Sequence, residues 1–383
     1  MKIVIAPDSF KGGMTAKQAA DAIETGVKRV FPESDRVKVP MADGGEGTVQ
    51  ALVDATGGTM LQKYVTGPLG KPIATSSGLL GDHETAVIEM AAASGLEAVP
   101  VSERNPSVTT TYGTGELILA AMDQGVKRII IGIGGSATVD GGAGMAQALG
   151  VHLLDETGTE LQVGGGQLGQ LTHIDITGLD HRIQDVSFLV ASDVTNPLIG
   201  ENGAAAVFGP QKGATSEMVK QLDRNLAHFA QIIEMDLGVK VGEIPGAGAA
   251  GGLGAGLIAF LRGHLQPGID LVIRFAGLRE RAQDADLVFT GEGQVDFQTQ
   301  YGKTPLGVAQ TTKAVAPHAP VIVLTGNVGS GTDVLFSKGI DAIFPIEQGV
   351  TTLTEALNDG AANLTATAEQ VARVIAQTRW LWH

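Results

Sequence analysis

Residues 2–30 read KIVIAPDSFKGGMTAKQAADAIETGVKRV, and their reading decides the fold. The β-branched run at 2–6 has the length of a strand and stops at Pro7. Thr15 with Gln18 forms a capping-box pattern, and Ala19, Ala20, Ile23, Val27 and Val30 recur on one helical face. The rhythm then repeats. A second strand is expected at 37–39, and Asp43 with Glu46 gives another capping pattern before a helix at 48–56, TVQALVDAT. A chain that begins strand, helix, strand, helix builds a parallel sheet.

The same alternation returns late in the chain. The runs DLVF at 286–289, VIVL at 321–324 and DAIF at 341–344 predict strands. Between them a helix is expected at 305–315, with Thr304 as N-cap and Pro305 in the first turn, where its missing N–H costs nothing. A short helix follows at 333–337, and a final one runs from about 353 to 379. Two units at the front and three at the back make one five-stranded doubly wound domain, expected at 1–60 plus 281–383. Residues 61–280 become an insertion. Its strand-like stretches at 60–65, 73–77 and 86–90 predict a mixed sheet, joined by KRIIIGIGG, FLVAS and an amphipathic helix at 216–235. The expected fold class is therefore α/β, a discontinuous flavodoxin-like parallel sheet with an inserted mixed α/β domain. The active site is expected in the cleft between them. With the outer strands in the order 2-1-3-4-5, the topological switch gathers PDSFKGG, MADGGEGT and TGEGQVDFQT on one rim.

Composition narrows the chemistry. The 383 residues include no cysteine, so any metal must be held by oxygen or imidazole. Glycine supplies 54 positions, about twice the usual share, and it comes in bursts beside apolar segments rather than with a collagen period. Twenty-six basic against 41 acidic residues, a formal charge of −15, argue against a nucleic-acid surface. The start lacks the apolar core of a secretory signal, and together with the missing thiols this points to a cytoplasmic protein. Residues 244–261 carry no charge, but their six glycines favour a loop running into a buried helix over a membrane span.

Four stretches carry candidate chemistry. The rim contributes Lys11, suited to a carboxylate or phosphate, and Asp8, Asp43, Glu46, Glu292 and Asp296, which could hold Mg²⁺ or act as a base. Asp43 and Glu46 equally suit a helix cap. Lys303 stands in YGKTP. In RIIIGIGGSATVDGGAGM, at 128–145, glycines after an apolar strand leave backbone N–H groups for an anion, and Gly132, Gly134 and Ala137 also fit a dinucleotide spacing. A literal GxGxxG at Gly246, Gly248 and Gly251 follows a poor strand, which favours close helix packing. Lastly, FLVASDVTNPL puts Asp193 and Asn196 beyond a strand, with Lys212 following in FGPQKGA. There is no GxxxxGK[ST], because Phe297 stands where the first glycine would be, and no HExxH or GxSxG. Phosphoryl transfer survives this elimination, since it needs positioning, Mg²⁺ and cations more than a nucleophilic side chain.

The runs PDSFKG (7–12), MADGGEGT (41–48), YGTGELI (112–118), GIGGSATVDGGAGM (132–145), SDVTNPL (192–198), FGPQKGA (208–214), PGAGAAGGLG (245–254) and TGEGQVD (290–296) together resemble the type-1 glycerate kinase family. The resemblance implies a kinase that uses ATP and Mg²⁺ to phosphorylate D-glycerate, giving 2-phosphoglycerate in organic-acid catabolism, and two α/β domains. Roles assigned from chemistry fall on these blocks. Lys11 would hold the substrate carboxylate, with Asp8, Ser9, Asn196 and Lys303 as further substrate or phosphate contacts. Asp193 would be the base, with Asp43 second in line. Gly134, Gly135 and Ser136 would cradle phosphate, Lys212 would neutralise charge in the transition state, and Glu292 with Asp296 would hold Mg²⁺. The rival readings are an NAD(P)-dependent oxidoreductase acting on a small hydroxy acid and a non-catalytic small-acid sensor. A homodimer is compatible with the sequence, which does not fix the oligomeric state.

Overall fold

A computed structural model describes residues 1–378, so Arg379, the expected end of the last helix, lies outside the described residues. The chain divides into two compact units. One comprises Met1–Asp43, Gln50–Gly57 and the chain from Gly268 onward; the other comprises Gly44–Val49 and Gly58–Pro267.

The first unit contains a five-stranded sheet. Its neighbours run Asp35–Lys38, Lys2–Ile5, Leu287–Val295, Val321–Val328 and Ala342–Pro345, all parallel. This is the 2-1-3-4-5 order that places a switch between the first strand and the third. Thr15 and Gln18 form the reciprocal cap of Ala16–Val30: the Gln18 N–H donates to Thr15 Oγ1 at 3.2 Å, and the Thr15 N–H to Gln18 Oε1 at 2.9 Å. Gly26 lets that helix meet Leu353–Thr378 closely, since a Cβ there would stand 2.2 Å from the Thr365 carbonyl oxygen. Ile3, Ile5, Ile23, Phe289, Leu324 and Leu364 fill the core beneath.

Two local readings change. The third strand does not stop at 289 but runs to Val295, in register with Val328, so TGEGQV is strand rather than loop. Its glycine reads as a breaker, yet here it admits the neighbouring backbone: a Cβ on Gly291 would lie 1.9 Å from the Leu324 carbonyl oxygen. Thr304 is likewise the first residue of Thr304–Val315, with Lys303 at the cap position.

In the second unit the sheet is mixed and six-stranded, as the insertion's pattern led us to expect. His264–Gln266, Ser187–Ala191, Arg128–Gly132 and Thr85–Glu89 are parallel neighbours, and Pro72–Leu79 and Thr59–Thr66 extend the sheet antiparallel. The core joins Ile88, Ile131, Met145, Leu226, Phe229 and Leu253, with Ser216–Leu237 contributing its apolar face. The uncharged 244–261 stretch becomes a glycine loop and the buried helix Ala249–Leu261, whose first turn holds Ala250, Gly251 and Gly252 in left-handed conformations. Among the described residues no helix is long and apolar enough to cross a membrane.

Candidate active site

Chemistry in the first unit gathers where its parallel strands end, the side on which open α/β sheets bind ligands. Asp8 follows Lys2–Ile5, and its N–H donates to the Gly291 carbonyl at 2.8 Å, fixing the loop against the third strand. Its carboxylate is buried. Oδ2 accepts the Thr304 hydroxyl at 2.5 Å and Oδ1 the Ser9 N–H at 2.6 Å. Burial is the largest influence on this carboxyl and, with nearby Asp43, pushes it up to about 7, while the Thr304 and Ser9 hydrogen bonds pull the other way. Glu292, within the third strand, accepts the Thr299 hydroxyl at 3.3 Å. Burial, with Asp8 and Asp43 adding negative potential, pushes it up to about 8, against the pull of Lys303. The structure therefore brings Asp8, Asp43, Glu292 and Lys303 under one another's influence.

Asp296 sits in a hydrogen-bond network of its own. It caps the short turn Phe297–Gln300, accepting the Gln294 side-chain amide at 2.9 Å and the Gln298 N–H at 2.7 Å, and these bonds hold its carboxyl below the usual range. Lys11 lies exposed in the turn that Phe10 and Met14 close by backbone hydrogen bonds of 2.9 and 3.0 Å.

In the second unit three neighbouring parallel strands end at Glu89, Gly132 and Ala191. Just beyond the middle one, Gly134 and Gly135 are exposed, and Gly135 adopts a left-handed φ of 76°. The Gly135 carbonyl accepts the Leu96 N–H and the Ala137 N–H donates to Ser94, both at 2.9 Å. Among the described residues the N–H groups of Gly134, Gly135 and Ser136 meet no acceptor. Successive backbone amides at a bend are the form in which main chain binds anions in general.

Lys212 supports this bend from inside. Only 2 % exposed, its ammonium donates to Ser136 Oγ at 2.6 Å and to the Thr138 carbonyl at 2.7 Å. Burial pulls it down to about 7, with Asp140 pulling back. Asp193 lies exposed just past Ala191. Asn196 is chiefly a stitch: its side chain donates to the Asn202 carbonyl at 2.9 Å, and its own carbonyl accepts the N–H groups of Gly246 and Gly248 at 3.2 and 3.0 Å. The literal GxGxxG serves packing in this structure, for a Cβ on Gly248 or Gly251 would stand 2.0 or 1.8 Å from the carbonyl oxygens of Pro197 and Thr138.

The sequence profile of the glycerate kinase family matches residues 3–376. The chain belongs to the glycerate kinase family. Glycerate kinase of Bacillus subtilis (strain 168) is 54 % identical over 375 residues, covering 98 % of each chain. Glycerate 2-kinase of Escherichia coli (strain K12) is 51 % identical over 376 residues, again covering 98 % of each. A crystal structure from Salmonella typhimurium LT2 superposes with a TM-score of 0.91 at 49 % identity and covers 99 % of both chains.

Three residues of this glycerate kinase family member escaped the sequence reading. Thr304 looked like a cap but spends its hydroxyl on Asp8. Asp140, fully buried, accepts the Thr111 N–H and hydroxyl, each at 2.8 Å, and the Gly142 N–H at 3.1 Å, and so binds the glycine run to a distant loop. Glu89 ends a strand, and its carboxylate accepts backbone amides of a distant segment, the Val49 N–H at 2.9 Å among them. Asp140 stood inside a run read only for its glycines; nothing in the sequence marked Glu89.

Proposed function

We propose that the protein transfers the γ-phosphoryl group of ATP to the 2-hydroxyl of D-glycerate, giving 2-phospho-D-glycerate. The observation that carries this reading is the family match over residues 3–376, supported by 51 % identity to a glycerate 2-kinase.

Each cluster has its own part in the reading. In the second unit, the amides of Gly134, Gly135 and Ser136 hold phosphoryl oxygens, and such fixed donors stabilise charge as it develops. Lys212 acts through the loop, fixing Ser136 and Thr138, rather than by touching phosphate. Asp193 takes the proton of the attacking hydroxyl. In the first unit, Lys11 holds the glycerate carboxylate and Lys303 offsets anionic charge.

Among the described residues no group of three or more His, Asp or Glu is arranged to hold a metal ion. Magnesium in kinases commonly takes only one or two carboxylates and completes its shell with water and phosphate oxygens. Asp8 and Glu292 fit that partial set, being carboxylates pushed upward chiefly by burial and further by neighbouring carboxylates. Bound there, Mg²⁺ would neutralise charge on the nucleotide's phosphate oxygens. Asp43 adds negative potential to both carboxylates.

The test is turnover of ATP with D-glycerate, L-glycerate and related hydroxy acids, with phosphorus NMR of the product. Phosphate on C2 of D-glycerate is expected. Phosphate on C3 overturns the regiochemistry, and no transfer to any glycerate overturns the whole reading.

A further inference from the structure

The segment 44–49, GGEGTV, has an unusual support. Glu89 and Gly132 lie side by side, paired in register at the ends of neighbouring parallel strands. Glu89 Oε1 accepts the Val49 N–H at 2.9 Å, and its carboxylate also takes backbone hydrogen bonds from Gly47 and Thr48. A strand-end residue therefore satisfies the first amides of the helix Thr48–Thr56, work usually done by a side chain just ahead of the helix. Gly132 provides the second support. A Cβ there would stand 2.8 Å from the Gly44 carbonyl oxygen, so only glycine lets this segment seat on the strand end.

The arrangement is costly. Glu89 is half-buried and has the like-charged Glu46 beside it, both of which disfavour its ionised form. A neutral cap within the segment would hold the helix at lower cost. What the costly version adds is location: it fastens the segment carrying Glu46 to the strand end from which Gly134, Gly135 and Ser136 follow.

We infer that Glu89 and Gly132 are positioning residues for the transfer step, pinning the 44–49 segment next to the anion-binding bend. The inference rests on the proposed kinase reading. Glu89 touches no reacting atom in it; its effect passes through the backbone it holds and through Glu46.

The experiment compares wild type with Glu89→Ala, Glu89→Gln and Gly132→Ala in steady-state kinetics, with hydrogen exchange at the 47–49 amides measured in parallel. Glu89→Ala is expected to lose kcat by more than about tenfold while KM for ATP stays within about threefold, and to exchange faster at 47–49 than elsewhere. Glu89→Gln keeps an acceptor oxygen, so it should recover most of the lost kcat and protection. Gly132→Ala should repeat the kcat loss. Equal damage from Gln and Ala overturns the proposal, because the charge itself would then be at work. So does a Glu89→Ala kcat within about threefold of wild type, or exchange that rises uniformly along the chain. Exchange requires no turnover, so a wild type inert toward glycerate would defeat the functional reading while leaving the pinning measurable.

Discussion

Lys212 Nζ and Ser136 Oγ lie 2.6 Å apart in a packed interior, with no carboxylate paired to the ammonium among the described residues. A buried lysine of this kind is held for the geometry it imposes, and its pKa leaves a thermodynamic trace. The unfolded side chain titrates near its ordinary 10.5, and the folded one is pulled down to about 7. Between these values the unfolded chain holds the extra proton, so this group's contribution to stability rises with pH, by at most ~1.4 kcal/mol per unit. Lys212→Met removes the term. Melting scans at pH 7 to 9 should show wild type gaining on Lys212→Met as pH rises; a constant gap would disprove the assignment.

Thr304→Val tests the bond to Asp8. The substitution keeps the shape and removes the donor, leaving the buried carboxylate one partner short. We expect kcat/KM to fall by about five- to thirtyfold, matching a charge-assisted hydrogen bond of roughly 1–2 kcal/mol, with the half-saturating Mg²⁺ concentration raised. A variant with unchanged kinetics would reduce Thr304 to helix packing.

The proposed base, Asp193, yields a kinetic prediction. Asp193→Asn keeps size and hydrogen bonding and removes basicity, so kcat should drop by about a hundredfold or more with KM for glycerate little altered. A kcat within a few-fold of wild type would pass the role to Asp43, whose Asn variant belongs in the same assay.

Glycine substitutions separate two kinds of need. Gly251 has a φ of 68°, and a Cβ would stand 1.8 Å from the Thr138 carbonyl oxygen, whereas Gly302 has a φ of 97° with nothing within 4 Å. Gly251→Ala should cost more than about 3 kcal/mol or prevent folding, and Gly302→Ala about 1 kcal/mol from backbone strain alone. Chemical denaturation of the two variants checks the order, and equal losses would contradict it.

Much of the fold was legible because hydrophobic period and turn chemistry agree along KIVIA, VIVL and KRIIIGIGG. The readings failed where close approach, a property of two chains, decided the outcome. Gly291 and Gly293 look like loop residues until the Val321–Val328 backbone is beside them. The site followed the same division. Asp8, Glu292 and the 134–136 bend stand in runs whose composition announces them. Glu89 ends an ordinary apolar strand, and its purpose comes from amides some forty residues earlier. Lys212 was visible as a lysine in a glycine run, but its direction, inward to Ser136, could not be read from spacing.

The pairing of Lys2–Ile5 with Leu287–Val295 carries a consequence for biosynthesis. Contacts at this seam span 284 positions, as between Lys2 and Asp286. A ribosome therefore releases the first strand long before its central neighbour exists. Until then one side of that strand offers unpaired backbone to any passing chain, the circumstance in which aggregation competes with folding. That edge is completed only once the late strand has been made, and because the first unit is drawn from separate stretches of the chain, no single cut could yield it as an independent fragment.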